Sequence, residues 1–208
     1  MGERHTERLN KIAFLFKKVP ELERSKLLLD TEALYSTTDQ VTAEKVATII
    51  SKYISASSTI VDATACIGGS CYALAATFQR VIAIEKDHTK FEYLKHNMNV
   101  LGAHNIECIN ADCVNECKKY KSDAIFIDPP WGGPQYKTKR NVSLYLSEIP
   151  LSNVCCELSN TTKYIMLKVP TNFDETSFVQ ETSDCLELKH KNESLRKMNL
   201  LIFESKCV

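Results

Sequence analysis

The chain has 208 residues, 44% of them apolar and 25% charged, with 26 basic side chains set against 26 acidic ones. That length suits one domain with a sizeable core, and a net charge of zero excludes a general polycation of the kind that coats nucleic acid. No long apolar run or secretory leader stands out, so the expectation is a soluble intracellular protein that does not engage a membrane. Nine cysteines invite a metal or disulfide reading, but no C-x-x-C pair occurs, Cys155 and Cys156 are adjacent, and no histidine spacing completes a zinc site. The expectation is therefore no metal, and cysteines that act mostly as small apolar fillers in a reducing compartment.

In chain order, Leu9, Ile12, Ala13 and Phe16 recur at helical spacing among Arg4, Arg8, Lys11, Lys17 and Lys18, and Pro20 closes the segment. This reads either as the solvated face of a packing helix or as a basic helix lying near a polyanionic substrate. Residues 1–40 are accordingly expected as a helical N-terminal extension, and 41–208 as the main domain. A helix over 41–53 follows. Strands and helices then alternate: strand 59–65, helix 70–78, strand 80–86, helix 88–101, strands 106–112 and 123–130, helix 144–158 and strand 164–170. Near-continuous apolar strands separated by helices imply a mostly parallel sheet covered on both faces. The last two strands, 185–191 and 199–206, are separated by only a short polar link, so the final strand is expected antiparallel to its neighbour. A seven-stranded sheet of this kind, α/β and Rossmann-like, resembles the fold of class I S-adenosyl-L-methionine-dependent methyltransferases.

Chemistry-bearing residues fall at the carboxyl ends of the strands, where open α/β sheets bind ligands. "VDATACIGGS" (61–70) joins the first strand to a helix. Gly68 and Gly69 allow a tight turn and close approach of a ligand, and Asp62 and Ala63 precede them. A carboxylate at that position can hold the ammonium of S-adenosyl-L-methionine while loop amides hold its carboxylate. A structural turn would look the same. Glu85 ends the second strand, where an acid takes ribose hydroxyls, and Asp112 ends the third, either as an acceptor for an adenine amine or as a helix N-cap.

The fourth strand ends in Asp128-Pro129-Pro130-Trp131-Gly132-Gly133-Pro134. Two prolines stop a sheet ladder. They also fix the backbone so that the Pro129 carbonyl and the Asp128 side chain can both face one planar amino group. Such an amine is a poor nucleophile, because its lone pair is delocalised into the ring, and two acceptors on its hydrogens can free that lone pair. Asp128 is placed to accept the proton released and, at a strand end, to contact the cofactor as well. Trp131 offers the plane on which a base stacks.

"IDPPWGGPQY", with "VDATACIGG" and "RVIAIEKD", resembles the trimethylguanosine synthase family, and the likeness extends over residues 27–206. It implies transfer of a methyl group to the N2 amine of 7-methylguanosine RNA caps, with Trp131 stacked on a cationic base. Capped RNA or a 7-methylguanosine nucleotide is then the partner. The chain departs from the family pattern at Cys66, where a glycine is common, at Thr171, where an arginine is common, and at Leu28 and Leu34, where a lysine and a tryptophan are common. Lys26, Lys137, Lys139, Arg140 and Lys168 are candidates to replace the missing phosphate contacts, and Asn172 of "KVPTN" is a further substrate-binding candidate. The "YKTKR" run (136–140) also reads as an exposed polar loop. Other base amines, guanine N2 in ribosomal or transfer RNA or adenine N6, suit the same motif. A non-catalytic cap-binding protein suits the altered glycine loop.

Overall fold

The computed structural model describes residues 2–193, 195 and 197–208. The strands are β1 (Thr59–Asp62), β2 (Arg80–Glu85), β3 (Ile106–Asn110), β4 (Ser122–Ile127), the short β5 (Tyr145–Leu146) and β6 (Ile149–Pro150), then β7 (Thr162–Pro170), β8 (Leu186–Asn192) and β9 (Met198–Ser205). Seven of them form one sheet in the order β3-β2-β1-β4-β7-β9-β8. Pairings β1–β2, β2–β3 and β4–β7 are parallel, whereas β9 runs antiparallel to both β7 and β8. This is the mostly parallel sheet with an antiparallel last strand that the alternating pattern implies. Val61, Ile82, Ala83 and Ile84, and likewise Ala124 to Ile127, are buried without the alternation of a one-sided strand, as a sheet covered on both faces requires. No helix among the described residues is long and apolar enough to cross a membrane.

The chain forms two compact units, Met1–Ala111 and Asp112–Val208. The first contains helices α1 (Gly2–Leu15), α2 (Glu21–Arg24), α3 (Ala33–Ser36), α4 (Gln40–Ile50), α5 (Gly69–Ala75) and α6 (His88–Val100) with β1 to β3. Asp39 and Asp87 cap α4 and α6 by accepting from the backbone N–H of Thr42 and Lys90. Residues 1–40 pack inside this unit: Leu15, Phe16, Val19, Leu27, Leu29 and Leu34 share a buried cluster with Ile67 of the glycine loop. The side chain of Arg4 lies outside the described residues.

The second unit contains α7 (Cys113–Glu116), α8 (Leu151–Leu158) and α9 (Glu175–Glu181) with β4 to β9. Two sequence expectations change in this unit. The helix expected over 144–158 begins only at Leu151, and residues 145–150 form a β5–β6 hairpin. Pro150 is the reason. It disfavours helical backbone at Ile149 and removes an N–H, so it can stand at the helix N-cap but not within the helix. At the hairpin tip Ser147 (φ 49°) and Glu148 (φ 69°) are both left-handed. Nor are all the cysteines thiols: Cys156 of α8 is joined to Cys185, with Cα atoms 5.6 Å apart across 29 residues of chain. Spacing alone does not reveal such a pair, because α8 and the start of β8 meet only in the fold. Cys71, Cys113, Cys117 and Cys155 remain buried thiols, the filler role expected of them.

Candidate functional site

In the first unit, Asp62 ends β1 with a fully buried side chain. Its carboxylate accepts from the Thr64 N–H at 3.1 Å and from the Cys71 thiol at 3.1 Å. Burial, and after it the Asp62 carboxylate, pushes the Cys71 thiol well above its ordinary pKa. Ala63 is buried beside Asp62. The loop then turns through Cys66 (φ 49°) and Gly68 (φ 99°). A Cβ on Gly68 would sit 2.2 Å from Met98 Cε, and one on Gly69 would sit 2.5 Å from Thr37 Cγ2 and 2.9 Å from the Thr38 carbonyl oxygen. The two glycines thus admit the protein's own α6 and the 37–38 segment. This packing demand fits the structural-turn reading of the pair.

Glu85, half-buried at the end of β2, accepts from the backbone N–H of Cys66 at 2.8 Å and of Asp87 at 2.7 Å, one amide on each carboxylate oxygen. Burial holds this carboxyl above the ordinary range, with the two amides and Lys90 pulling the other way. The Cys66 N–H therefore ties the glycine loop to the second strand end. Asn97 was not singled out from the sequence, yet it is wholly buried and connects three segments. Its amide donates to the carbonyls of Leu28 and Ile67, and its oxygen accepts from the Leu28 N–H. The available signal was a lone asparagine on the Leu94, Met98, Leu101 face of α6.

A polar cleft at the amino ends of the same strands is lined by Thr59, Gln79, Arg80, His104 and Glu107. Arg80 and Glu107 pair with each other there at 2.5 Å, so its charges cancel. It lies at the wrong strand ends for the chemistry above.

In the second unit, the buried run of β4 emerges at Asp128. Ile127 is paired with Leu167 in the β4–β7 register, so the next residues, Asp128 and Lys168, are neighbours. They form an ion pair through Lys168 Nζ and Asp128 Oδ2. Lys168 is only 3% exposed. Its ammonium also lies 5.1 Å from the centroid of the Trp131 ring. This alters the sequence expectation for Lys168: a buried ammonium engaged by a carboxylate and an indole is not presented to a phosphate.

Pro129 is buried, Pro130 exposed and Trp131 half-buried. Tyr136 meets the indole edge-on, with centroids 5.1 Å apart and planes at 81°. Trp131 Nε1 is buried without a hydrogen-bond partner among the described residues. Gly132 (φ 83°) and Gly133 (φ 69°) both take left-handed backbone and lead into a 3₁₀ turn over Gly133–Thr138. Asn172 holds that turn by donating to the carbonyls of Tyr136 and Lys139, each at 2.8 Å. Lys137, Lys139 and Arg140 stand exposed on it. The structure therefore gathers Asp128, Trp131 and Lys168 into one cluster and makes Asn172 the clamp of the basic turn. Asp112 caps α7 by accepting from the Val114 N–H at 3.1 Å, and its other carboxylate oxygen accepts from Ser147 Oγ at 2.6 Å.

Residues 57–201 match the family described as RNA cap guanine-N2 methyltransferase. The trimethylguanosine synthase of Schizosaccharomyces pombe is 32% identical over 158 residues, which cover 70% of this chain and 64% of that protein. An uncharacterized protein of Acanthamoeba polyphaga mimivirus is 27% identical over 194 residues, covering 80% of this chain and 76% of its own length. Among solved structures, the precorrin-6y C5,15-methyltransferase of Geobacter metallireducens superposes with a TM-score of 0.56 at 14% identity, over 86% of this chain and 94% of that one. The tRNA m1G37 methyltransferase of M. jannaschii gives a TM-score of 0.54 at 14% identity, over 86% of this chain and 51% of that one. These two likenesses establish the fold, and the family match over 145 of the 208 residues establishes more: the chain belongs to the RNA cap guanine-N2 methyltransferase family.

Proposed function

We propose that the protein transfers a methyl group from S-adenosyl-L-methionine to the exocyclic N2 amine of 7-methylguanosine in an RNA cap. The observation that carries this reading is the end of β4. There, Asp128, the Pro129 carbonyl and the Trp131 ring stand on a proline-stiffened loop in a chain of this family.

The cofactor supplies a methyl group on a sulfonium sulfur. The donor set in the first unit suits it. Glu85 is a carboxylate already oriented by two amides, and each oxygen keeps a lone-pair direction for one of two adjacent ribose hydroxyls. Asp62, wholly buried, orients the loop through the Thr64 N–H and the Cys71 thiol, and the amides after Ala63 hold the cofactor's carboxylate. In the second unit, Asp112 is a candidate acceptor for an adenine amine, its carboxylate oriented by the Val114 N–H and the Ser147 hydroxyl.

For the acceptor, Trp131 stacks on the cationic 7-methylguanine ring, a contact worth about 0.5–2 kcal/mol beyond the area it buries. Asp128 and the Pro129 carbonyl accept the two N2 hydrogens and turn the nitrogen lone pair out of conjugation. Positioning supplies most of the rate enhancement, and Asp128 takes the proton that N2 releases. Lys137, Lys139 and Arg140, held in place by Asn172, face the cap phosphates. The test is incubation with labelled S-adenosyl-L-methionine and 7-methylguanosine diphosphate, with the product mapped by mass spectrometry. Label on the guanine N2 supports the reading. Label elsewhere on the nucleotide, or none despite cofactor binding, contradicts it.

A further inference from the structure

The family motif accounts for Asp128 and Trp131 but not for the lysine between them. Lys168 enters from β7, flanked along its strand by the buried Leu167 and Val169 and paired across to the buried Leu200. A lysine is almost never so deeply buried without a partner. This one has two, the carboxylate of Asp128 and the face of Trp131. These are the groups that would otherwise attract a cationic base. We propose that Lys168 is a specificity-determining residue, a resident cation that sets how strongly the acceptor site prefers a positively charged base over a neutral one. The proposal rests on the cap reading above and deepens it.

The effect is electrostatic. An indole face and a carboxylate together favour any planar cation laid against them. With an ammonium already on both, the cluster is close to neutral, and a cationic ring gains less there than it would from Trp131 and Asp128 alone. Two unit charges about 7 Å apart at an effective dielectric near 20 repel by an amount worth on the order of ten- to fifty-fold in affinity. A neutral guanine escapes that penalty and keeps the stacking area and the contacts to its N2 amine. Lys168 therefore narrows the margin between 7-methylguanine and guanine, so the site accepts guanine bases more broadly than its aromatic plane alone would allow.

Trp131 is the only tryptophan in the chain, so its fluorescence reports occupancy of the site directly. Titrations with 7-methylguanosine diphosphate and guanosine diphosphate give a ratio of dissociation constants for each variant. Lys168→Met is expected to raise the preference for the 7-methylated nucleotide by about tenfold, and Lys168→Arg to leave it unchanged. Because Lys168→Met removes the ion pair to Asp128 and can fail to fold, a second comparison removes that charge as well. Asp128→Asn should lower the preference, and adding Lys168→Met should restore it. A purely structural lysine would weaken both nucleotides alike and leave the ratio fixed. A ratio that does not move in either comparison overturns the proposal. No fluorescence change with either nucleotide in the folded wild-type protein would contradict the cap reading and this inference with it.

Discussion

At Trp131 a large apolar plane is exposed enough to stack, yet its Nε1–H is buried with no acceptor among the described residues. An unpaired buried donor costs about 1–3 kcal/mol. Trp131→Phe is therefore expected to change stability little in urea unfolding, since lost area and a removed penalty offset each other. Trp131→Ala should weaken 7-methylguanosine diphosphate by at least about tenfold and leave S-adenosyl-L-methionine affinity unaltered, both read by calorimetry. Equal losses for the two ligands would mean that the indole holds up the fold and is not the base platform. Glu85 carries a pH dependence with a definite sign. Its carboxyl lies above the ordinary carboxylate value of about 4.3 because it is partly buried, so it gains a proton at a higher pH than a solvated glutamate does. Cofactor affinity should fall as pH drops through that raised value, since a protonated carboxyl accepts ribose hydroxyls poorly, and Glu85→Gln should flatten the profile. Stability runs the opposite way: a raised folded-state pKa costs stability above it, and the cost disappears as pH falls through the unfolded value. An affinity profile that stays level down to the ordinary carboxylate range would remove Glu85 from the cofactor site.

The glycine loop and α6 depend on each other at the element scale. Gly68 leaves room for Met98, and Asn97 bonds both to Ile67 in the loop and to Leu28 upstream. Asn97→Leu should cost about 1–3 kcal/mol, since it strands the buried Ile67 carbonyl and releases the part-buried Leu28 N–H and carbonyl, and should loosen the loop enough to weaken cofactor binding. Denaturant unfolding and calorimetry on one sample test both effects, and unchanged stability would show that those backbone groups find water instead. Elements were legible in the sequence where one residue type forces one geometry. Near-continuous apolar runs placed β1 to β4, and the prolines at 129 and 130 ended β4 close to where it stops. The sequence misled where two geometries satisfy the same pattern. The apolar spacing of 144–158 suits a helix until Pro150 is weighed. The N-cap reading of Asp112 was legible, but only the fold shows that Ser147 engages it and that Asp128 engages Lys168.

At the scale of the sheet, its mostly parallel character and the antiparallel β9 follow from element succession, because parallel neighbours need crossover helices and a short link does not supply one. The Cys156–Cys185 bond does not follow from anything local. If it forms in the purified protein, thiol titration after unfolding without reductant should count seven groups, and titration with reductant nine. Breaking it should lower stability by about 2–4 kcal/mol for a loop of this size; nine thiols in both samples would show the pair reduced. The proposed chemistry turns on one nitrogen atom, so the decisive comparison is between two acceptors that differ in that atom. Methyl transfer from S-adenosyl-L-methionine should be followed to 7-methylguanosine diphosphate and to 7-methylinosine diphosphate, which is cationic in the same way but has no N2 amine. Transfer to the first and none to the second is the predicted result. Equal transfer to both would place the methyl elsewhere and contradict the roles of Asp128, Pro129 and Trp131 in presenting N2.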